Sequence, residues 1–182
     1  MRILIGYASQ HGSTREIAER IAQRLRDGGH NADAQELTGA GDAAGYEAFV
    51  IGSAIHGGDW LPPAIEYVNR NADLLAARPL WLFSVGMASV VGGWFEKHVR
   101  DPKAVATFRT TIRSREHHLF AGAIRHDHFP PIGRVFYRLM RGRYGDFRDW
   151  ADVDAWAESI ATDLSMVPRT HPKGAGHEGT PS

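Results

Sequence analysis

The chain of 182 residues is 43% hydrophobic and carries 21 basic against 21 acidic side chains, for a formal net charge of zero. That length suits one well-buried domain, and the balanced charge excludes a global attraction to nucleic acid or to an acidic surface. Cysteine is absent, which excludes disulfides, thiolate-bound clusters and a cysteine nucleophile, and makes the cytoplasm the expected compartment.

Ile3, Leu4, Ile5 and Tyr7 form a short apolar run without a helical period. This is the pattern of a strand buried on both faces, as in a parallel sheet. The chain enters this strand at once, which reads as the absence of a signal peptide. No apolar run approaches the roughly 18 residues of a spanning helix. Residues 8–13 then contain no large apolar side chain. Ser13 and Glu16 have the spacing of a capping box and predict a helix from Thr14. Ile17, Ala18, Ile21, Ala22 and Leu25 share one face of that helix, and Gly28 and Gly29 end it.

A strand that leads through a hydroxyl-bearing loop into a helix N-terminus has the form of an anion site, because free N–H groups and the positive dipole end face the loop. A triphosphate-binding loop needs a lysine beside its last hydroxyl, and "SQHGST" has none. A dinucleotide fingerprint needs three glycines, and only Gly12 lies here. One glycine with the hydroxyls of Ser9, Ser13 and Thr14 suits a terminal phosphate monoester. An ordinary capped turn is the other reading, and spacing alone leaves both open.

Further along, residues 32–37 predict a short second strand and residues 48–55, "AFVIGSAI", a third. Pro62 and Pro63 occupy the first helical positions of a helix with Ala64, Ile65, Val68 and Leu75 on its apolar face. Residues 79–87 predict a fourth strand, residues 100–115 a helix with Val105, Phe108 and Ile112 in phase, and residues 117–124 a fifth strand. Residues 150–164 predict a closing helix. From residue 165 onward no periodic apolar residue remains, so a disordered tail is expected. Strands alternating with helices imply a single α/β domain over residues 1–164, built on a doubly wound, five-stranded parallel sheet.

Ligands of such sheets bind at the C-terminal strand ends near the switch in strand order. That rule gathers residues 8–13, 53–61 and 84–93. The second loop, "SAIHGGDW", joins Gly57 and Gly58, which let backbone approach a ligand, to His56 and Trp60, whose planar faces can stack. Taken singly, Trp60 also reads as a packing residue and His56 as a solvated one. A hydroxyl cradle beside aromatic and glycine residues fits a planar ring with a phosphate tail.

Between residues 125 and 143, Ile132, Val135, Phe136, Leu139 and Met140 fall on one helical face and Arg134, Arg138 and Arg141 on the opposite one. Three readings stay open: a basic amphipathic helix over residues 132–141 at an anionic lipid surface, a helix packed on the protein's own core, or arginines that attract substrate carboxylates. No Ser/His/Asp nucleophile arrangement is apparent. His126, Asp127 and His128 could ligate a metal, yet no further ligand stands near them in sequence.

The loop S-x-x-G-x-T, Ser9 to Thr14 after a first strand, resembles the FMN phosphate loop of flavodoxins, with His11 where a second threonine is usual. The segments "VIGSAIHGGDWLPPAIEYV", "FSVGMA" and "AGAIRHDHFPPIGRVFYRLMRGRYGDFRDW" are similar to those of the menaquinone-dependent protoporphyrinogen IX dehydrogenase family, a membrane-associated branch of that fold. The resemblance implies strand order 2-1-3-4-5, FMN as cofactor, and a quinone-linked oxidoreductase of heme biosynthesis acting on a porphyrinogen in the cytoplasm or at its membrane face. It also implies cofactor contacts from Ser9, Gln10, His11, Gly12, Ser13 and Thr14, from Ala54, His56, Gly57, Gly58 and Trp60, and from Ser84, Val85, Gly86 and Met87. Arg125, Arg134 and Arg138 would position substrate; no side chain need act as a nucleophile, and no metal is required. A flavodoxin-type electron carrier and a binding module without redox activity are the alternatives. Flavodoxins that serve as carriers are strongly acidic, and zero net charge with a basic segment speaks against that use.

Overall fold

Strand β1, Arg2–Ala8, is buried at six of its seven positions because sheet neighbours flank it and helices cover both its faces. The computed structural model describes residues 1–41, 43–86, 101–124 and 145–166. On one side β1 pairs in parallel with β2, Asn31–Glu36, and on the other with β3, Ala48–His56. Beyond β3 lie β5, Leu80–Gly86, and β6, Glu116–Ala121, again parallel. The intervening β4, Asp59–Trp60, is a two-residue strand folded back antiparallel on β3. The sheet therefore runs β2-β1-β3-β5-β6, which is the expected order 2-1-3-4-5 once β4 is set aside.

Side chains alternate between two cores, as strand geometry requires. Trp81, Phe83 and Val85 of β5 face helix α1, Ser13–Asp27, and the last helix α5, Trp150–Ser165. Leu80 and Leu82 face the opposite layer. That layer comprises α2, Pro62–Arg70, α3, Ala72–Ala76, and α4, Lys103–Thr111. The α1 and α5 helices are joined by Arg20 and Arg24, which both bond the Asp154 carboxylate and hold its pKa far below the usual range. Among the described residues no helix is long and apolar enough to cross a membrane.

Several elements differ in detail from the sequence reading. Helix α1 starts at Ser13, and its N-cap is Gly12, at φ 91°. Ser13 thus stands inside the helix and makes no capping box, while Glu16 turns instead to Arg148. The helix expected after Pro62 breaks into α2 and α3 around Asn71. Helix α4 spans only Lys103–Thr111 within the expected 100–115, and Arg113 adopts a left-handed φ of 57° shortly after its end. The fifth long strand stops at Ala121, and after Gly122 the short β7, Ala123–Ile124, pairs antiparallel with β8, Gly145–Asp146. Ser165 belongs to α5 and not to the tail.

Candidate functional site

A cleft of about 460 Å³ opens where β1, β3, β5 and β6 end. Its first wall is the loop from β1 into α1, which contributes Ser9, Gln10, His11, Ser13 and Thr14. Ser9 Oγ accepts the Gly12 N–H at 3.0 Å, closing the loop into a tight turn that only a left-handed residue such as Gly12 enters without strain. The cleft end of α1 is therefore rimmed by hydroxyls, and Thr14 is 1% exposed there. Ser13 Oγ accepts the Ala123 N–H at 3.2 Å, which fastens the fourth wall, Gly122 and Ala123, to the first.

The second wall is the hairpin β3–β4. His56 and Asp59 pair across it, and the two residues between them, Gly57 and Gly58, both have positive φ, 62° and 85°. A two-residue connection with both central φ angles positive is the type I′ hairpin, which two glycines adopt without strain. Ala54, Ile55, His56 and Gly57 line the cleft from this side, and Val85 and Gly86 form the third wall at the end of β5. Among these lining residues there is no lysine, arginine, aspartate or glutamate; His11 and His56 are the titratable side chains.

Four residues expected at the ligand stand outside the cleft lining. Trp60 is 3% exposed and packs edge-on against Phe108 of α4, with ring centroids 5.8 Å apart. The antiparallel return of β4 turns its indole into the core, so it cannot stack on a ligand in the cleft. Ser84 points to the same side of the sheet, since alternation along β5 sends Val85 to the cleft and Ser84 away from it. Gly58 lies beyond the lining at the hairpin tip, and Gly12 contributes through its backbone conformation. Gly122 and Ala123 follow the fifth strand, whose end lies outside the three loops gathered from the sequence, and the glycine there was the available signal; Ile55 lies within loop 53–61, where its apolar side chain reads as core. Met87, Arg125, Arg134, Arg138, residues 132–141 and His126 to His128 lie outside the described residues. Among the described residues no group of three or more potential ligands gathers for a metal.

Ser84 does take part in a Ser/His/Asp arrangement that the sequence reading did not find. Its Oγ lies 2.8 Å from His117 Nε2, and His117 Nδ1 lies 3.4 Å from Asp101. Trp60 Nε1 donates to the same hydroxyl at 2.7 Å. The assignment that satisfies all groups has a neutral imidazole accepting at Nε2 from the serine O–H. With Ser84 fully buried, no substrate reaches this oxygen, and the chain of bonds serves to join β5, β6 and β4. Burial pushes the His117 pKa below its ordinary 6.5, against the opposing pull of Asp101. The unfolded chain therefore takes up a proton near pH 6.5 that the folded chain refuses. Stability should be level above that pH and fall as pH drops below it. Urea unfolding between pH 5 and 8 checks this: His117→Gln should flatten that part of the profile, and an unchanged acid slope would remove His117 as its origin.

Arg148 marks the rim near α1. Its side chain, 7% exposed, reaches Glu16 and Asp146, both at 2.5 Å, and lies over the Trp150 ring. These contacts hold the β7–β8 ribbon beside the N-terminus of α1.

An α/β protein with a hydroxyl-rimmed cleft at the switch between β1 and β3 is of the flavodoxin type, flavodoxins being themselves an instance of the switch-point rule. The chain belongs to the flavodoxin domain family, whose model matches residues 4–148. It is 26% identical over 177 residues to protoporphyrinogen IX dehydrogenase [quinone] of Escherichia coli K12, covering 88% of this chain and 95% of that one. Oxidised flavodoxin 2 from Bacillus cereus superposes with a TM-score of 0.60 at 20% identity, covering 91% of this chain and all of that one. Rubredoxin oxygen:oxidoreductase of Desulfovibrio gigas superposes with a TM-score of 0.59 at 16% identity; the match covers 90% of this chain and 36% of that one.

FMN is the cofactor of this family, and the residues present fit it. The hydroxyl rim at the α1 N-terminus suits a phosphate, and glycine backbone at Gly57 and Gly86 leaves room for a planar ring between the second and third walls.

Proposed function

We propose that this flavodoxin-type FMN protein is an oxidoreductase that takes reducing equivalents from an organic donor and delivers them to a quinone. The observation that carries the reading is the cleft itself: hydroxyl-rimmed at one end and glycine-walled at the other, with no lysine, arginine, aspartate or glutamate among its described lining residues, at the strand ends where this fold binds its cofactor. Ser9, Ser13 and Thr14 would hold the phosphate, while Ala54 to Gly57 with Val85 and Gly86 would hold the ring. Bound FMN supplies the hydride and one-electron chemistry, and the protein contributes orientation and the charge around the ring. The chemistry would be the cofactor's, so no side chain is required as a nucleophile.

The particular substrate is carried by the curated relative, whose name joins protoporphyrinogen IX to a quinone. We extend that pair to this chain as its substrate class. Arginines 125, 134 and 138 would receive substrate carboxylates, and the basic and apolar residues of 132–141 would meet an anionic membrane from which a quinone arrives. Purification without added cofactor should give a yellow protein that releases FMN. Loaded protein should then reduce a menaquinone analogue in the presence of a porphyrinogen. A protein that reduces no quinone with any donor, yet exchanges single electrons rapidly with a reductase, is a carrier instead.

A further inference from the structure

Helix α4 has an unusual start. Its N-cap is Pro102, which offers no side-chain acceptor, and no cap bond comes from its own turn. The acceptor arrives from 45 residues away: Asp59 Oδ1 takes the Ala104 N–H at 3.0 Å and, at 2.8 Å, the N–H of its own neighbour Trp60. A carboxylate at this place satisfies an orphan helix donor and sits at the positive end of the helix dipole. Asp59 is also the residue that pairs with His56 across the hairpin, one residue from the glycines of its tip. The same bond that caps α4 thus sets where His56 and Gly57 stand along the cleft.

The other fastenings of the hairpin lie deeper. Trp60 Nε1 bonds Ser84, and Leu61 N–H bonds Ser53 Oγ, both serines being fully buried. These bonds hold the base of the hairpin. Asp59, with intermediate exposure, holds the part beside the tip, where a two-glycine connection offers little stiffness of its own.

We propose that Asp59 is a positioning residue for the flavin ring, acting by capping α4 across the fold and so fixing the hairpin wall of the cleft. The inference rests on the FMN reading above. It assigns ring placement to Asp59 and phosphate selection to the separate hydroxyl loop, so the two walls should respond independently to substitution.

The test compares Asp59→Ala, Asp59→Asn and a remote core control, Ile160→Val, all as full-length protein with FMN or riboflavin. Asp59→Ala should weaken both flavins alike, by up to about fivefold, the limit if the whole free energy of one lost cap is drawn from binding, and should change the visible circular dichroism of the bound ring. The ratio of FMN to riboflavin affinity should stay at the wild-type value. Asn keeps a carbonyl oxygen that can accept both N–H groups, so Asp59→Asn should keep most of the wild-type affinity and dichroism. Ile160→Val should lower the melting temperature with no change in the flavin signals. Unchanged dichroism and affinity in Asp59→Ala would overturn the assignment while leaving FMN binding intact, as would an Asp59→Asn variant as impaired as the alanine. Wild-type protein that binds neither flavin overturns the FMN reading and this inference with it.

Discussion

Gly52→Ala is expected to be the most damaging single methyl addition in the sheet. A Cβ at this position would stand 2.1 Å from Cζ of Phe83 and 2.2 Å from its Cε1. Gly52 and Phe83 are register partners on β3 and β5, and the ring lies over the glycine because nothing projects from it. Retreat is blocked: Phe83 is fully buried, with Phe120 and Trp156 edge-on at 6.0 and 6.1 Å. Overpacking of a closed core costs about 1–3 kcal/mol, and the closeness of this clash places it at about 3 kcal/mol or above. For a chain of this size that lowers the melting temperature by about 6–12 °C. Phe83→Leu should relieve part of the clash, so the double variant should be less destabilised than the sum of the two single ones. A Gly52→Ala protein that melts at the wild-type temperature would show that the Phe83 ring has another place to go.

Ser9→Ala combined with Thr14→Ala is expected to weaken FMN by about a hundredfold and riboflavin by only about threefold. Two hydroxyl bonds to a phosphate dianion are charge-assisted and contribute about 1.5 kcal/mol each. Their joint loss corresponds to about two powers of ten in affinity. The smaller riboflavin effect has a separate origin: Ser9 Oγ also accepts the Gly12 N–H, so its removal loosens the loop for any ligand. Titration of apoprotein by tryptophan and flavin fluorescence reads both constants. Equal losses for the two flavins would remove the phosphate from this loop.

Much of this architecture was legible in the residues alone. The apolar runs at Ile3 to Tyr7, 48–55 and 79–87 and the 3.6-residue spacing of Ile17, Ile21 and Leu25 determined an alternating α/β chain, and the hydroxyls around Gly12 marked a candidate anion loop after its first strand. These signals are local, and each reports burial on two faces, burial on one face or a turn. The resemblance supplied the strand order, which pairwise spacing does not contain. The boundaries moved where a neighbour overrode the local pattern. Ser13 and Glu16 have the spacing of a capping box, but their side chains found Ala123 and Arg148, partners more than a hundred residues away.

What only the tertiary structure decided was which side of the sheet each candidate faces. Trp60 reads as a ring for stacking until β4 folds back on β3 and carries the indole between β5 and α4, where Ser84 takes its N–H. Ser84 and Val85 are neighbours in sequence, yet the pleat sends one to a buried chain of hydrogen bonds with His117 and the other to the cleft. Gly122 and Ala123 entered the site because parallel pairing brings the end of β6 level with those of β3 and β5. Composition and spacing determine which residues can bind a phosphate or cap a helix. Which of them meet is decided by strand order and pleat, because a shift of one residue along a strand exchanges its two faces.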